Sequence, residues 1–333
     1  MRLQPWGNIS VEREASAGPE VMTDWPDGLA AWSDYFDTKV QEFADNLWPR
    51  FDWETGNWAG KTAAFADEAT KAELQICLER FQRGNILDQY PDTPRFDAMV
   101  SMRRTHMWHY RVEDFAGESH GDNAFEKAAS RFPFSNIVYY DPAQNNETIW
   151  TRFVDLSKRK ADGTFRFKLQ FLRPRPYADA TLFGMKDFKH HTATRYTHTG
   201  MHPAFPSGHC VQGLLICGGI IDDLLDTCDP GQIDMDALMQ YAVDFGDRRV
   251  FGGVHYPTDN IASWVNAVHL GGKLFKRPEI VQPLIIDAIT SKSTLYKVIC
   301  DEFGKYEALQ TAKSYLDAQL ALAAEGRPAP TEG

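Results

Sequence analysis

The chain has 333 residues, of which 43% are hydrophobic and 24% are charged, as in ordinary soluble globular proteins. Its 46 Asp and Glu residues outnumber its 35 Lys and Arg residues, and the formal net charge is −11. Because such an acidic surface repels nucleic acid and anionic membranes, neither is an expected partner.

Two further features bear on the compartment. The longest strongly apolar stretch, 213–221, is far shorter than the roughly 20 residues of a membrane-spanning helix, and residues 1–20 lack the pattern of a secretory signal. The five cysteines are odd in number and show no close paired spacing, which argues against a disulfide framework or a zinc knuckle. We therefore expect a cytoplasmic protein with no membrane span.

Helical periodicity recurs along most of the chain, and alternating β-branched runs are scarce, so the sequence predicts an all-α helical bundle. The predicted helices, in chain order, cover residues 25–47, 61–83, 96–115, 148–158, 164–172, 207–225, 235–245, 258–275 and 293–324. We expect one compact domain over 1–333, with a helical layer of unassigned role (1–145), a catalytic core (146–280), and C-terminal helices with a frayed tail (281–333).

Three short segments of the sequence contain candidate catalytic or binding residues. The first segment contains Lys168 and Arg175, followed by Pro176. The two cations are seven residues apart, so a helix that ends at Pro176 would present both on one face. A solvated basic face that also includes Arg166 and Arg173 is the alternative interpretation.

The second segment is Pro206-Ser207-Gly208-His209, just before a strongly apolar helix. Ser207 is a natural N-cap, and Gly208 lets a ligand approach the backbone. The N–H groups and the dipole of a helix start attract an anion, and His209 in the first turn could donate a proton to it. A capped helix with a surface histidine is the alternative.

The third segment holds Arg249, His255 and Asp259, with a tight bend expected at Gly252-Gly253. Asp259, four residues after His255, can accept the Nδ1–H and leave Nε2 as a nucleophile. It can equally cap the next helix, or serve both purposes.

In this order, the three segments resemble the signature of the type 2 phosphatidic acid phosphatase and vanadium haloperoxidase superfamily. The resemblance covers about residues 168–259 and implies a helical bundle of that type. It makes Lys168, Arg175 and Arg249 a cationic clamp on a phosphate or vanadate, with Ser207 Oγ and the Gly208 N–H as neutral donors.

The same resemblance makes His255 the nucleophile, oriented by Asp259, and His209 the general acid. These roles imply a phosphatase that needs no metal or other cofactor and hydrolyses a soluble phosphate ester or diphosphate through a phosphohistidine. One departure is Arg248, where the superfamily usually has serine before the third-segment arginine.

A vanadium-dependent haloperoxidase, using halide, hydrogen peroxide and vanadate bound to His255, is the alternative function, because vanadate fits the same cage. His255 follows His209 by 46 residues, a short interval that favours the phosphatases. His202, followed by Pro203, instead resembles the bromide-oxidising peroxidases, where it would serve the halide; a plain loop histidine is the other interpretation. Self-association is left open.

Overall fold

The computed structural model describes residues 28–59, 68–83, 163–188, 203–226, 229–233 and 235–325. The helices predicted at 96–115 and 148–158, the tail at 326–333 and His202 lie outside the described residues. The side chain of Arg248 lies outside them as well.

The described part of the chain is almost entirely helical, which confirms the predicted all-α class. Its α-helices are α1 Gly28–Asn46, α2 Glu68–Ile76, α3 Gly163–Phe171, α4 Pro176–Leu182, α5 Gly208–Leu224, α6 Met235–Phe251, α7 Pro257–Leu274, α8 Pro278–Asp287, α9 Thr294–Glu302 and α10 Glu307–Glu325. Two short strands, β1 Phe51–Asp52 and β2 Asn57–Trp58, form an antiparallel hairpin. Short π-helical or 3-10 segments are Cys77–Arg83, Pro230–Gln232, Ala288–Lys292 and Phe303–Lys305.

Helix α5 lies at the centre of the core because its residues are apolar on nearly every side. It packs against α6, α7 and α8. Glycines allow the closest of these approaches: a Cβ at Gly213 would lie 2.4 Å from the Ala242 carbonyl oxygen, and one at Gly246 would lie 2.8 Å from Cys210 Cβ. The start of α5 and the end of α6 are therefore held side by side.

Helix α1 and the β1–β2 hairpin pack directly on α3 and on Phe205. The Phe43 ring of α1 contacts the rings of Phe167, Phe171 and Phe205 at centroid distances of 5.6, 6.5 and 5.8 Å. Trp58 Nε1 donates a hydrogen bond of 2.7 Å to the Phe171 carbonyl at the end of α3. These contacts fix the end of the helix that carries Lys168.

The prediction that Lys168 and Arg175 share one helix is wrong. Helix α3 ends at Phe171, Leu172 adopts a left-handed φ of 42°, and Pro176 is the first residue of α4 rather than a stop. A proline disfavours helical backbone in the residue before it, while its own fixed φ suits a first helical position. The prolines at 174 and 176 therefore force an extended link between two helices.

Other boundaries also differ from the predictions. The helix predicted at 235–245 continues to Phe251, and the one predicted at 293–324 is broken at Phe303–Lys305 into α9 and α10. Helices α4 and α8 were not predicted; each begins with a proline, and the first of these, Pro176, was interpreted from the sequence as a terminator. Among the described helices, none combines the length and apolar character needed to cross a bilayer.

Candidate active site

The three sequence segments converge on His255, whose side chain is buried at the turn between α6 and α7. Burial lowers its pKa well below the ordinary value, and the charges of Arg175, Lys168, Arg249 and His209 lower it further. Those four residues therefore lie close enough to His255 to act on one ring. The extended link, the start of α5 and the end of α6 meet at this point.

A tight turn places His255 beside Arg249. Gly253 has a φ of 75°, which glycine adopts without steric cost. The N–H groups of Val254 and His255 both donate to the Arg249 carbonyl, at 3.1 and 3.3 Å. The predicted bend between the arginine and the histidine is thus present, and Pro257 starts α7 two residues later.

The hydrogen bonds of His255 define its tautomer. Nδ1 lies 2.9 Å from Asp259 Oδ2, and Nε2 lies 2.9 Å from Arg175 Nη1. Because a guanidinium can only donate, Nε2 must accept, and the ring proton therefore resides on Nδ1 and is donated to Asp259. The neutral ring has its lone pair on Nε2, on the side of the arginine.

Asp259 serves both roles that the sequence allowed. Its Oδ2 also accepts a 3.0 Å hydrogen bond from the Tyr256 N–H and so caps the start of α7. Its Oδ1 accepts a 2.9 Å hydrogen bond from Arg173 Nη1. Both carboxylate oxygens are engaged, and the side chain is fully buried.

The cations of the first segment are buried on different elements. Arg175 is the N-cap of α4, and its Nη1 also donates to the Val254 carbonyl at 2.7 Å. Lys168 Nζ donates to the carbonyls of Pro203, Ala204 and Pro206 at 2.6, 3.1 and 2.7 Å. Lys168 thereby holds the loop that leads into α5, while its charge still acts on the His255 ring.

The start of α5 has the features of an anion site. Ser207 is its N-cap, yet the hydroxyl makes no capping bond, is fully buried and has no hydrogen-bond partner among the described residues. A Cβ at Gly208 would meet nothing within 4 Å, so space is open beside the backbone. A buried hydroxyl without a partner costs free energy unless a ligand or water satisfies it.

His209 is the second residue of α5 and is 8% exposed. Its ring lies 5.1 Å from the Phe245 ring of α6, centroid to centroid. This contact orients the imidazole, which retains a small accessible face close to His255.

The sequence interpretation missed Arg173 and Glu73. Arg173 was grouped with a solvated basic face, but it is fully buried and pairs with Glu73 and Asp259 at 2.8 and 2.9 Å. One signal was present: in the extended stretch that the two prolines impose, residues 173 and 175 point to the same side. Nothing in the sequence marks Glu73, which comes from α2, as a member of this site.

A third buried carboxyl, that of Asp179, bonds to the residue that follows His255. Asp179 of α4 accepts a 2.5 Å hydrogen bond from the Tyr256 hydroxyl, and its Oδ1 has no partner within the described residues. Burial raises the pKa of Asp179 to about 7, although the Tyr256 hydrogen bond and Arg173 oppose the rise.

Free thiols are found at Cys77, Cys210, Cys217 and Cys300, while Cys228 is outside the described residues.

Comparison of the chain with models of protein families, with curated proteins and with solved structures finds no match in any of the three.

Proposed function

We propose that the protein is a metal-independent phosphatase that hydrolyses a soluble phosphate ester or diphosphate through a phosphohistidine on His255. The observation that carries this proposal is the ring of His255 itself. Asp259 holds its Nδ1–H, and its Nε2 lone pair lies among buried cations. The resemblance of the three segments to the phosphatase and haloperoxidase superfamily supports the same assignment.

The electrostatics suit an anionic substrate and a neutral nucleophile. Arg175, Lys168 and Arg249 lower the pKa of His255, so the ring is unprotonated at neutral pH and its lone pair is available. The same cations would neutralise the non-bridging oxygens of a phosphoryl group, with the Ser207 hydroxyl and the Gly208 N–H as further donors. Arg175 must then exchange its bond to Nε2 for one to a phosphoryl oxygen.

The chemistry proceeds in two displacements. In the first, the Nε2 lone pair of His255 attacks phosphorus, the bond from phosphorus to the leaving oxygen breaks, and His209 gives that oxygen a proton. In the second, His209 removes a proton from water, the water oxygen attacks phosphorus, and the P–N bond breaks. The electron pair returns to Nε2 and inorganic phosphate is released.

Hydrolysis of p-nitrophenyl phosphate in the presence of EDTA tests the proposal, and vanadate should inhibit it. His255→Ala should abolish turnover. His269→Gln is a matched control, since this partly buried histidine of α7 bonds to Gln319 instead. Vanadate-dependent bromination of monochlorodimedone, together with negligible phosphate release, would overturn the proposal and favour the haloperoxidase alternative with vanadate on His255.

A further inference from the structure

We propose that Arg173 and Glu73 are positioning residues that hold the carboxylate of Asp259 in place behind the nucleophilic His255, and that Arg173 also keeps this carboxylate anionic. The inference rests on the proposed function, and it assigns part of the chain before residue 146 to the catalytic centre. Neither residue is proposed to touch the substrate, so both act through Asp259.

The two carboxylate oxygens of Asp259 bond to different residues. Oδ2 faces His255, while Oδ1 accepts from Arg173 Nη1 at 2.9 Å. The same Nη1 donates to Thr258 Oγ1 at 2.6 Å, and Nη2 donates to Glu73 Oε1 at 2.8 Å. A rotation of the Asp259 carboxylate away from the histidine would therefore break its bond to a fixed guanidinium.

The guanidinium is immobilised on both faces. Its central carbon lies 4.2 Å from the Trp48 ring centroid and 3.6 Å from that of Tyr256. Stacking of a desolvated cation between two aromatic rings adds to the hydrogen bonds in fixing its orientation. Arg173 thus links the region after α1 to the turn that carries His255.

Glu73 binds both Arg173 and Thr258, the residue before Asp259. Its Oε2 accepts from the Thr258 N–H at 2.9 Å, and both oxygens lie within 2.8 Å of Thr258 Oγ1. Thr258 belongs to the first turn of α7, where a carboxylate also complements the helix dipole. Helix α2 is thereby tied to the helix that carries Asp259.

The charge of the fully buried Arg173 acts on the protonation of Asp259. Burial raises the pKa of Asp259, Arg173 and Lys168 lower it, and Glu73 raises it. Without Arg173, Asp259 would gain a proton more readily and would no longer accept from Nδ1. Together Glu73, Arg173 and Asp259 carry one net negative charge, which matches the positive charge on a phosphorylated imidazole.

The protonation of the His255–Asp259 pair depends on all of its charged neighbours. The charged or ionisable groups that act on His255 or Asp259 are Glu73, Lys168, Arg173, Arg175, Asp179, His209 and Arg249, together with the Cys77 thiol and the Tyr256 hydroxyl, which burial keeps neutral. Removing any one cation makes protonation of the pair easier, and removing Glu73 makes it harder. The two positioning residues therefore have opposite effects on one titration.

The test is an NMR titration of the His255 ring in 15N-histidine-labelled full-length protein, with His255→Gln to assign the signal. In Arg173→Met, we expect the titration midpoint of the His255–Asp259 pair to move up by about one pH unit or more. In the double variant with Glu73→Gln, the lost negative charge compensates for the lost positive charge, and the midpoint should return towards wild type. A purely structural role would instead make the double variant behave worse than either single variant.

Kinetics supply the second readout. With p-nitrophenyl phosphate, Arg173→Met should lower kcat by about 10- to 100-fold with little change in KM, in the range typical of residues that orient a catalytic group. Arg173→Lys, which keeps the charge and loses the planar fork, should recover part of the rate. Asp222→Asn is the control, because this buried aspartate caps the Lys276–Arg277 backbone at the far end of α5.

The outcomes are separable from those of the proposed function. Opposed midpoint shifts in a protein without phosphatase activity would retain the positioning role and remove the phosphatase. Unshifted midpoints, or shifts in the same direction, would overturn the positioning role even in an active phosphatase. If Arg173→Met does not fold, unchanged kcat and midpoint in both Arg173→Lys and Glu73→Gln would overturn it equally.

Discussion

A histidine nucleophile needs one ring nitrogen held by an acceptor and the other supplied with a lone pair. His255 meets both conditions through Asp259 and Arg175, each at 2.9 Å. The surrounding cations keep the ring neutral, and under the proposed function the same cations bind the substrate. In the proposed mechanism, one cluster of charges therefore sets both the protonation state of His255 and the affinity for the anionic substrate.

Replacing Asp259 by asparagine removes the anion that accepts the Nδ1–H. The amide can present its NH2 group to Nδ1, which favours the other tautomer and leaves the proton on Nε2. We expect kcat for p-nitrophenyl phosphate to fall by about 10⁴-fold, by analogy with other carboxylates that orient a catalytic histidine. Activity within a factor of about ten of wild type, in a folded variant, would contradict the assigned role.

The buried Asp179 carboxyl predicts a pH-dependent stability. Its pKa is raised from 3.8 to about 7, so between these values the folded chain holds a proton that the unfolded chain has lost. The stabilising contribution of this proton is full below about pH 4 and is lost as the pH rises through 7.

Asp179→Asn should therefore gain stability relative to wild type as the pH rises. From pH 5 to pH 8 the difference in unfolding free energy should change by about 2 kcal/mol in favour of the variant. Urea unfolding at the two pH values measures it, with Asp37→Asn, an exposed change on α1, as the control. A difference that does not vary with pH would show that Asp179 is ionised throughout this range.

At the residue scale, sequence reasoning found those members of the site that lie in short, recognisable segments. Ser207, Gly208 and His209 at one helix start, and Arg249, His255 and Asp259 around one bend, are close in the chain, so their spacing carries information. Arg173 and Glu73 were missed because their pairing spans 100 residues of sequence. In a sequence, a charged residue that is buried against a partner cannot be distinguished from a charged residue on the surface until that partner is known.

At the element scale, the candidate site depends on how closely α5 and α6 approach, because Ser207 is the N-cap of α5 and α6 carries Arg249. An added methyl group at Gly213 would lie 2.4 Å from a backbone oxygen, which cannot move independently of α6. Gly213→Ala should destabilise the protein by about 1–3 kcal/mol and also reduce kcat, since the two helices must separate.

Gly304→Ala is the matched control for that change, because a Cβ there meets nothing within 4 Å. Its unfolding free energy should equal that of wild type or slightly exceed it. Thermal unfolding and phosphatase assays on both variants check the prediction. If both alanine variants had equal stability, the close approach of α5 and α6 would not be a constraint.

Prolines mark where sequence reasoning about elements failed. Pro176 and Pro278 were treated as terminators or passed over, yet each begins a helix. A proline is compatible with both a helix end and a first helical position, and only the packing of the following segment decides between them. The apolar helices α5 and α7 were predicted within one or two residues, because burial imposes a strong pattern on them.

At the scale of the whole molecule, distant parts of the chain bring their side chains to one buried candidate site. Glu73 and Trp48 contribute from the first part, Lys168 and Arg173 from the middle, and His255 from the later part. The all-α class follows from periodicity summed over many residues. The long-range pairing of these segments does not follow from periodicity, because it is decided by three-dimensional packing.

The identity of the residue that carries the phosphoryl group during turnover tests the central claim most directly. Turnover of a phosphate ester would be stopped with alkaline denaturant, which preserves phosphohistidine, and the modified peptide identified by mass spectrometry. We predict one phosphoryl group on His255 and none in His255→Ala. A phosphoryl group on any other residue, or one that persists in His255→Ala, would contradict the account.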